Sequence, residues 1–118
     1  MQYLLLIYDD EKARWNAPSA ERDALTAEYK RLVGELMRDK IYLGGNPLQL
    51  TQTASSVRVR DGKAHITDGP FAETREQLGG YFLIDVPDME AARAIAARLP
   101  GARNGTVEVR QIVPHDGM

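Results

Sequence analysis

The chain has 118 residues, 43% hydrophobic and 27% charged, a balance that excludes fibrous repeats and extended disorder. Its formal net charge is -2 with acidic and basic residues interleaved, so no basic run is available to grip a phosphate backbone and nucleic acid is not expected as a partner. It contains no cysteine, which removes disulfides, thiolate nucleophiles and cysteine-based metal centres; no metal and no cofactor are expected.

This length supports one hydrophobic core, so a single domain over residues 1–118 is expected. The opening residues lack the basic and small-residue features of a signal peptide, and no apolar run approaches the roughly 20 residues that span a bilayer. The expectation is a cytoplasmic protein without a membrane partner.

Gln2 to Tyr8 (QYLLLIY) is an almost continuous apolar run and reads as a central strand. A polar loop with Trp15 and Pro18 leads to Ser19, an N-cap candidate followed by Glu21 and Asp23 in a first helical turn. Leu25, Tyr29, Leu32, Val33, Leu36 and Met37 then recur at the spacing of one helix face. Ile41 to Leu43 predicts a short strand interrupted at Gly44, Gly45, Asn46 and Pro47, with extended chain resuming at Leu48 to Leu50.

Val57 to Arg60 and Lys63 to Thr67 flank Asp61-Gly62, a two-residue hairpin signal that calls for positive φ at both turn positions. Such a turn pairs Arg60 with Lys63, Val59 with Ala64, Arg58 with His65 and Val57 with Ile66. One face then carries Val57, Val59, Ala64 and Ile66, and the other Arg58, Arg60, Lys63, His65 and Thr67. Tyr81 to Val86 predicts a strand. Asp88 caps a second helix with Ala92, Ile95, Ala96 and Leu99 on one side and Pro100-Gly101 at its end, and Thr106 to Val113 closes as an alternating strand.

The order β-α-β, inserted hairpin, β-α-β is the split βαβ plan: an α+β, ferredoxin-like fold with two helices on one face of an antiparallel sheet. The other face lacks cover, and alternating Val107, Val109 and Val113 are placed there, so a homodimer that buries it is expected.

The segment Asp68-Gly69-Pro70-Phe71-Ala72-Glu73-Thr74-Arg75-Glu76-Gln77-Leu78-Gly79-Gly80-Tyr81 resembles the signature of the YCII-related family in its DGPF-domain branch. The opening MQYLLLIY, Gly44 to Leu48, the hairpin and Val107 to Arg110 extend the similarity along the chain. The resemblance implies a dimeric α/β barrel of ferredoxin-like subunits, an architecture shared with muconolactone isomerases and small antibiotic-type monooxygenases. It also implies a His and Asp pair near a cleft, with the histidine on the first helix. Here the histidines are His65 and His115, and Glu28 stands nearest that helical position. DGPF proteins further resemble components found beside sigma factors of the extracytoplasmic-function type, which makes a sigma factor a candidate partner.

Strand parity sets Asp68 on the side of Ile66 and Ala64, which is expected to face the core at the mouth of a cleft bounded by the first helix and Tyr81. Two readings stand: a desolvated carboxylate acting as general acid or base, or an Asx-turn that fixes Gly69 to Phe71. Arg58 opposite His65 suits an anionic ligand, with His65 carrying the proton, and Tyr8, Tyr81 and Glu28 are candidate substrate contacts. With no nucleophile motif, P-loop or dinucleotide fingerprint, the catalytic expectation is cofactor-free proton transfer on a small organic acid or phenol, as in an isomerase or lyase. The rival is a non-catalytic regulatory or partner-binding module.

Overall fold

The computed structural model describes residues 1–114, so His115 lies outside the described residues. The sheet is organised around β1 (Gln2–Asp9), in which Tyr3, Leu5 and Ile7 are buried while Leu4, Leu6 and Tyr8 are only partly covered. That alternation is the two-residue period of a strand whose sides differ in cover. β5 (Gln77–Asp85) and β6 (Thr106–Gln111) flank β1, and β2 (Tyr42–Pro47) lies beyond β5, giving the order β2-β5-β1-β6 with every pairing antiparallel.

Two main helices, α2 (Ser19–Arg38) and α3 (Met89–Arg98), cover one face. Leu32 and Leu36 from α2, with Ala92, Ile95 and Ala96 from α3, pack against Tyr3, Leu5, Ile7, Phe82 and Ile84. Met37, expected on the same apolar face as Leu36, is instead 60% exposed. At about 100° per residue it stands some 100° beyond Leu36, outside the buried arc. The N-cap of α2 is Pro18 and not the expected Ser19, which is the first helical residue; there is no side-chain cap, and the Pro18 carbonyl accepts the N–H groups of Glu21 and Arg22. The α+β arrangement is consistent with a ferredoxin-like fold.

Two short helices were not legible as periodic segments: α1 (Glu11–Trp15), capped by the Asp10 carboxylate on the N–H groups of Lys12 and Ala13, and α4 (Gly101–Asn104). Among the described residues no helix is long and apolar enough to cross a membrane.

β2 corrects the expected interruption. It runs through Gly44, Gly45 and Asn46 to Pro47, with a bulge between Tyr42 and Gly44. A Cβ on Gly45 would stand 2.6 Å from the Tyr81 carbonyl oxygen, so this glycine permits close strand approach. Leu48 to Leu50 form no strand and lead into a 3₁₀ turn at Thr51–Thr53.

The expected position of the β6 valines is also corrected. Val107 and Val109 pair with Ile7 and Leu5 and pack into the helix-covered core, while Val113 lies past the strand end. Alternation separates two sides but does not say which one the helices cover. The more open side instead carries Leu4, Leu6, Tyr8, Tyr81 and Leu83, with Glu108 and Arg110 opposite Leu6 and Leu4.

The inserted hairpin has the expected register. β3 (Ser55–Arg60) and β4 (Lys63–Asp68) pair Arg58 with His65 and Val57 with Ile66, and the turn residues Asp61 and Gly62 have φ of 52° and 75°. The two strands form a sheet of their own, fastened at the base by Gly69 N–H to the Ala54 carbonyl (2.7 Å) and by the Ser56 hydroxyl to the Gly69 carbonyl (2.8 Å). This projecting arm raises the radius of gyration to 16.2 Å, against about 13.5 Å for a compact chain of this length.

Valine at Gly62 would hold a β-branched residue in the left-handed region at a cost of about 1–2 kcal/mol. Because the arm has its own ladder, Gly62→Val is expected to speed amide exchange across Ser55–Asp68 while β1 and β5 keep their protection. Equal loss of protection in all four segments would show that arm and body open as one unit.

Candidate functional site

On the polar side of the arm, Ser56, Arg58, His65 and Thr67 form the floor of a hollow of about 190 Å³, with Pro70 and Phe71 as its wall. Cross-strand pairing sets Arg58 beside His65 and Ser56 beside Thr67. The Gly69 turn, at φ 97°, carries the chain from β4 toward Pro70 and Phe71. Phe71 is 80% exposed, an unusual position for a phenyl ring without a partner. Among the described residues Arg58 has no ion-pair partner, so its guanidinium fork is open to a ligand.

Asp68 stands elsewhere. It keeps parity with Ile66, pairs with Ser55 and is exposed, so the expected core-facing position is corrected. Parity was sound, but the arm projects and the body does not cover that side. Among the described residues the Asp68 carboxylate accepts no hydrogen bond, and Gly69 supplies the backbone freedom of the turn.

The remaining candidates are dispersed. The Tyr8 hydroxyl donates to Glu108 at 3.4 Å, and the Tyr81 hydroxyl accepts from Asn46 Nδ2 at 3.1 Å, both on the more open side of the main sheet. Glu28 pairs with Arg103 at 2.7 Å on the helical side; that hydrogen bond, aided by the charges of Arg103 and Arg31, holds its carboxyl below the usual range. The structure therefore brings Arg58 and His65 together and separates Tyr8, Tyr81, Glu28 and Asp68 from them.

A second polar cluster lies where β1 meets α1. Arg14 Nε donates to Asp9 Oδ2 at 2.6 Å, and their side chains are 31% and 15% exposed. Asp9 Oδ1 is buried without a hydrogen-bond partner. Gly79 leaves room for the pair, since a Cβ there would lie 3.1 Å from Arg14 Nη2. Nearby, the Gly101 N–H donates to the Tyr29 hydroxyl at 3.0 Å, and burial, reinforced by the charge of Asp9, pushes the Tyr29 pKa up. Glu11 joins α1 to the 3₁₀ turn by accepting the Thr51 N–H and hydroxyl. Asp9 and Arg14 are five residues apart across a strand end and a short helix, so no periodic sequence signal announces them.

The larger hollow, about 390 Å³, is formed by Met1, Gln2, Gln111, Ile112, Val113 and Pro114. Its one charged group, the N-terminal amine, is engaged by Asp85 at 2.8 Å.

A profile of the YCII-related domain matches residues 1–116. The chain belongs to the YCII-related family. It is also similar to "Uncharacterized protein R00369" of Rhizobium meliloti (strain 1021), with 32% identity over 120 residues, covering 95% of this chain and 92% of that protein. The match thus spans nearly the whole of this YCII-related chain and of that protein.

The cluster yields a stability test. Arg14→Leu removes the cation from a largely covered carboxylate and is expected to cost about 1–3 kcal/mol in denaturant unfolding. Adding Asp9→Asn should recover part of that loss, giving a double-mutant coupling of about 1 kcal/mol. Strictly additive losses would show that the pair is not energetically linked.

Proposed function

We propose that this YCII-related protein binds a small organic anion in the hollow beside the Asp68-Gly69-Pro70-Phe71 turn. The observation that carries the reading is an unpaired Arg58 guanidinium next to His65, opposite an exposed aromatic wall at Phe71. Guanidinium and imidazole suit a carboxylate or phenolate head, Thr67 offers a hydroxyl, and Pro70 with Phe71 suits a flat apolar body. The volume of about 190 Å³ lies below the roughly 300–1,000 Å³ of drug-sized pockets, which favours a compact acid over a nucleotide.

Any cofactor-free isomerase or lyase step in this hollow would run through His65. Its imidazole offers both a donor and an acceptor nitrogen, whereas the Arg58 guanidinium only donates. Asp68 projects from the other side of β4 and is not assigned to the reaction. Binding without turnover would make the same hollow a sensor site.

The test is a titration of the protein with benzoate and with inorganic phosphate, followed by amide and side-chain NMR shifts. Shifts should concentrate at Ser56, Arg58, His65, Thr67 and Phe71. Arg58→Gln should weaken benzoate at least about tenfold, the scale of a lost charge-assisted hydrogen bond, while Phe71→Ala should weaken benzoate more than phosphate. Glu28→Gln should leave both unchanged, because Glu28 is held by Arg103 away from the hollow. Unchanged benzoate affinity in Arg58→Gln, or shifts centred on Arg14, would overturn the assignment.

A further inference from the structure

The floor of the hollow has two chemically different ends. Arg58 and His65 pair across the arm at one end, and Ser56 and Thr67 pair at the other. Along β3, Ser56 precedes Arg58 by two residues, and along β4, Thr67 follows His65 by two. The ends therefore share one face of the arm and stand about 7 Å apart. One holds a guanidinium and an imidazole, the other two hydroxyls.

The hydroxyls are not equivalent. Ser56 is half-buried, and its Oγ donates its one proton to the Gly69 carbonyl at 2.8 Å, at the turn that leads to Pro70 and Phe71. Toward the hollow Ser56 Oγ can only accept. A carboxylate has no proton to give it and is directed to the Arg58 end, whereas a ligand hydroxyl satisfies Ser56 and can also meet Thr67. Pro70 and Phe71 line the wall beside both ends.

We infer that the ligand of this hollow is an aromatic acid with a hydroxyl across the ring from its carboxylate. The carboxylate lies on Arg58 and His65, the ring lies against Phe71, and the hydroxyl proton goes to Ser56 Oγ. The inference rests on the anion reading of this hollow and adds the ligand's second polar group. A para-substituted ring holds its two polar groups apart and in line, as the two ends of the floor require, and its flat face suits a single aromatic wall. An ortho hydroxyl lies beside the carboxylate, bonds to it internally and does not reach Ser56.

The test titrates the full chain with benzoate, 4-hydroxybenzoate, 4-methoxybenzoate and 2-hydroxybenzoate, followed by amide NMR shifts. The 4-hydroxy acid is expected to bind about fivefold tighter than benzoate, the scale of one neutral hydrogen bond. The 4-methoxy acid, which has no proton to donate, and the 2-hydroxy acid should not share that advantage. Ser56→Ala should abolish it, and Ser56→Thr, which keeps the oxygen, should retain it. The ratio of the two affinities is the readout, because loosening the Gly69 turn in Ser56→Ala would weaken benzoate and 4-hydroxybenzoate alike.

Equal affinity for benzoate and 4-hydroxybenzoate in the unmodified protein overturns the inference. So does an advantage shared by 4-methoxybenzoate or 2-hydroxybenzoate, or one that survives Ser56→Ala. Each of these results leaves the anion site standing. Benzoate that fails to shift the residues of the hollow, or binds Arg58→Gln undiminished, removes the anion site and this inference with it.

Discussion

Every other layer of this protein takes its position from the two-sided alternation of β1. Tyr3, Leu5 and Ile7 form the apolar floor on which α2 and α3 lie, and the partners of those residues on β5 and β6 fall on the same side by register. Phe82, Ile84, Val107 and Val109 are core residues for that reason. A slip of one residue in β1 would turn Leu4, Leu6 and Tyr8 toward the helices and expel the present core. The constraint is strict because β1 is paired on both edges, so neither neighbour can shift without breaking the other ladder.

Local rules were legible where they act alone. The hairpin register could be read from Asp61-Gly62 and strict alternation, because a two-residue turn admits one pairing. The α2 stripe could be read from its period, and the Asp88 cap of α3 from its chemistry, with the carboxylate accepting the Ala91 N–H at 2.9 Å. Legibility ended where a property depends on what another part of the chain covers. Val107 and Val109 were assigned to the wrong side, and Asp68 was expected to face a core that the arm never meets. The glycines of β2 looked like an interruption, but the close approach of the Tyr81 carbonyl, a tertiary fact, is what calls for Gly45.

The polar chemistry divides in the same manner. Arg58 and His65 came from one hairpin and could be paired by counting, so this part of the candidate site was visible in advance. Phe71, by contrast, belongs to the hollow only because Gly69 turns the chain back toward the arm. Asp9, Arg14, Tyr29 and Gly101 come from four elements, and no spacing in the sequence brings them together. Their role is best understood as fastening: α1 is held to the end of β1 by Asp9 and Arg14, and to the loop after β2 by Glu11 and Thr51.

The outer strands of the main sheet bear on how the molecule behaves in company. β2 ends in Pro47, which has no N–H to donate, and its bulge between Tyr42 and Gly44 breaks the regular row of free backbone groups. β6, at the opposite margin, places Glu108 and Arg110 among its side chains. Both margins are thereby poor templates for an added strand, and growth of the sheet from chain to chain is discouraged. Contacts between molecules are left to the broad faces, where side-chain shape and charge select the partner and backbone ladders do not.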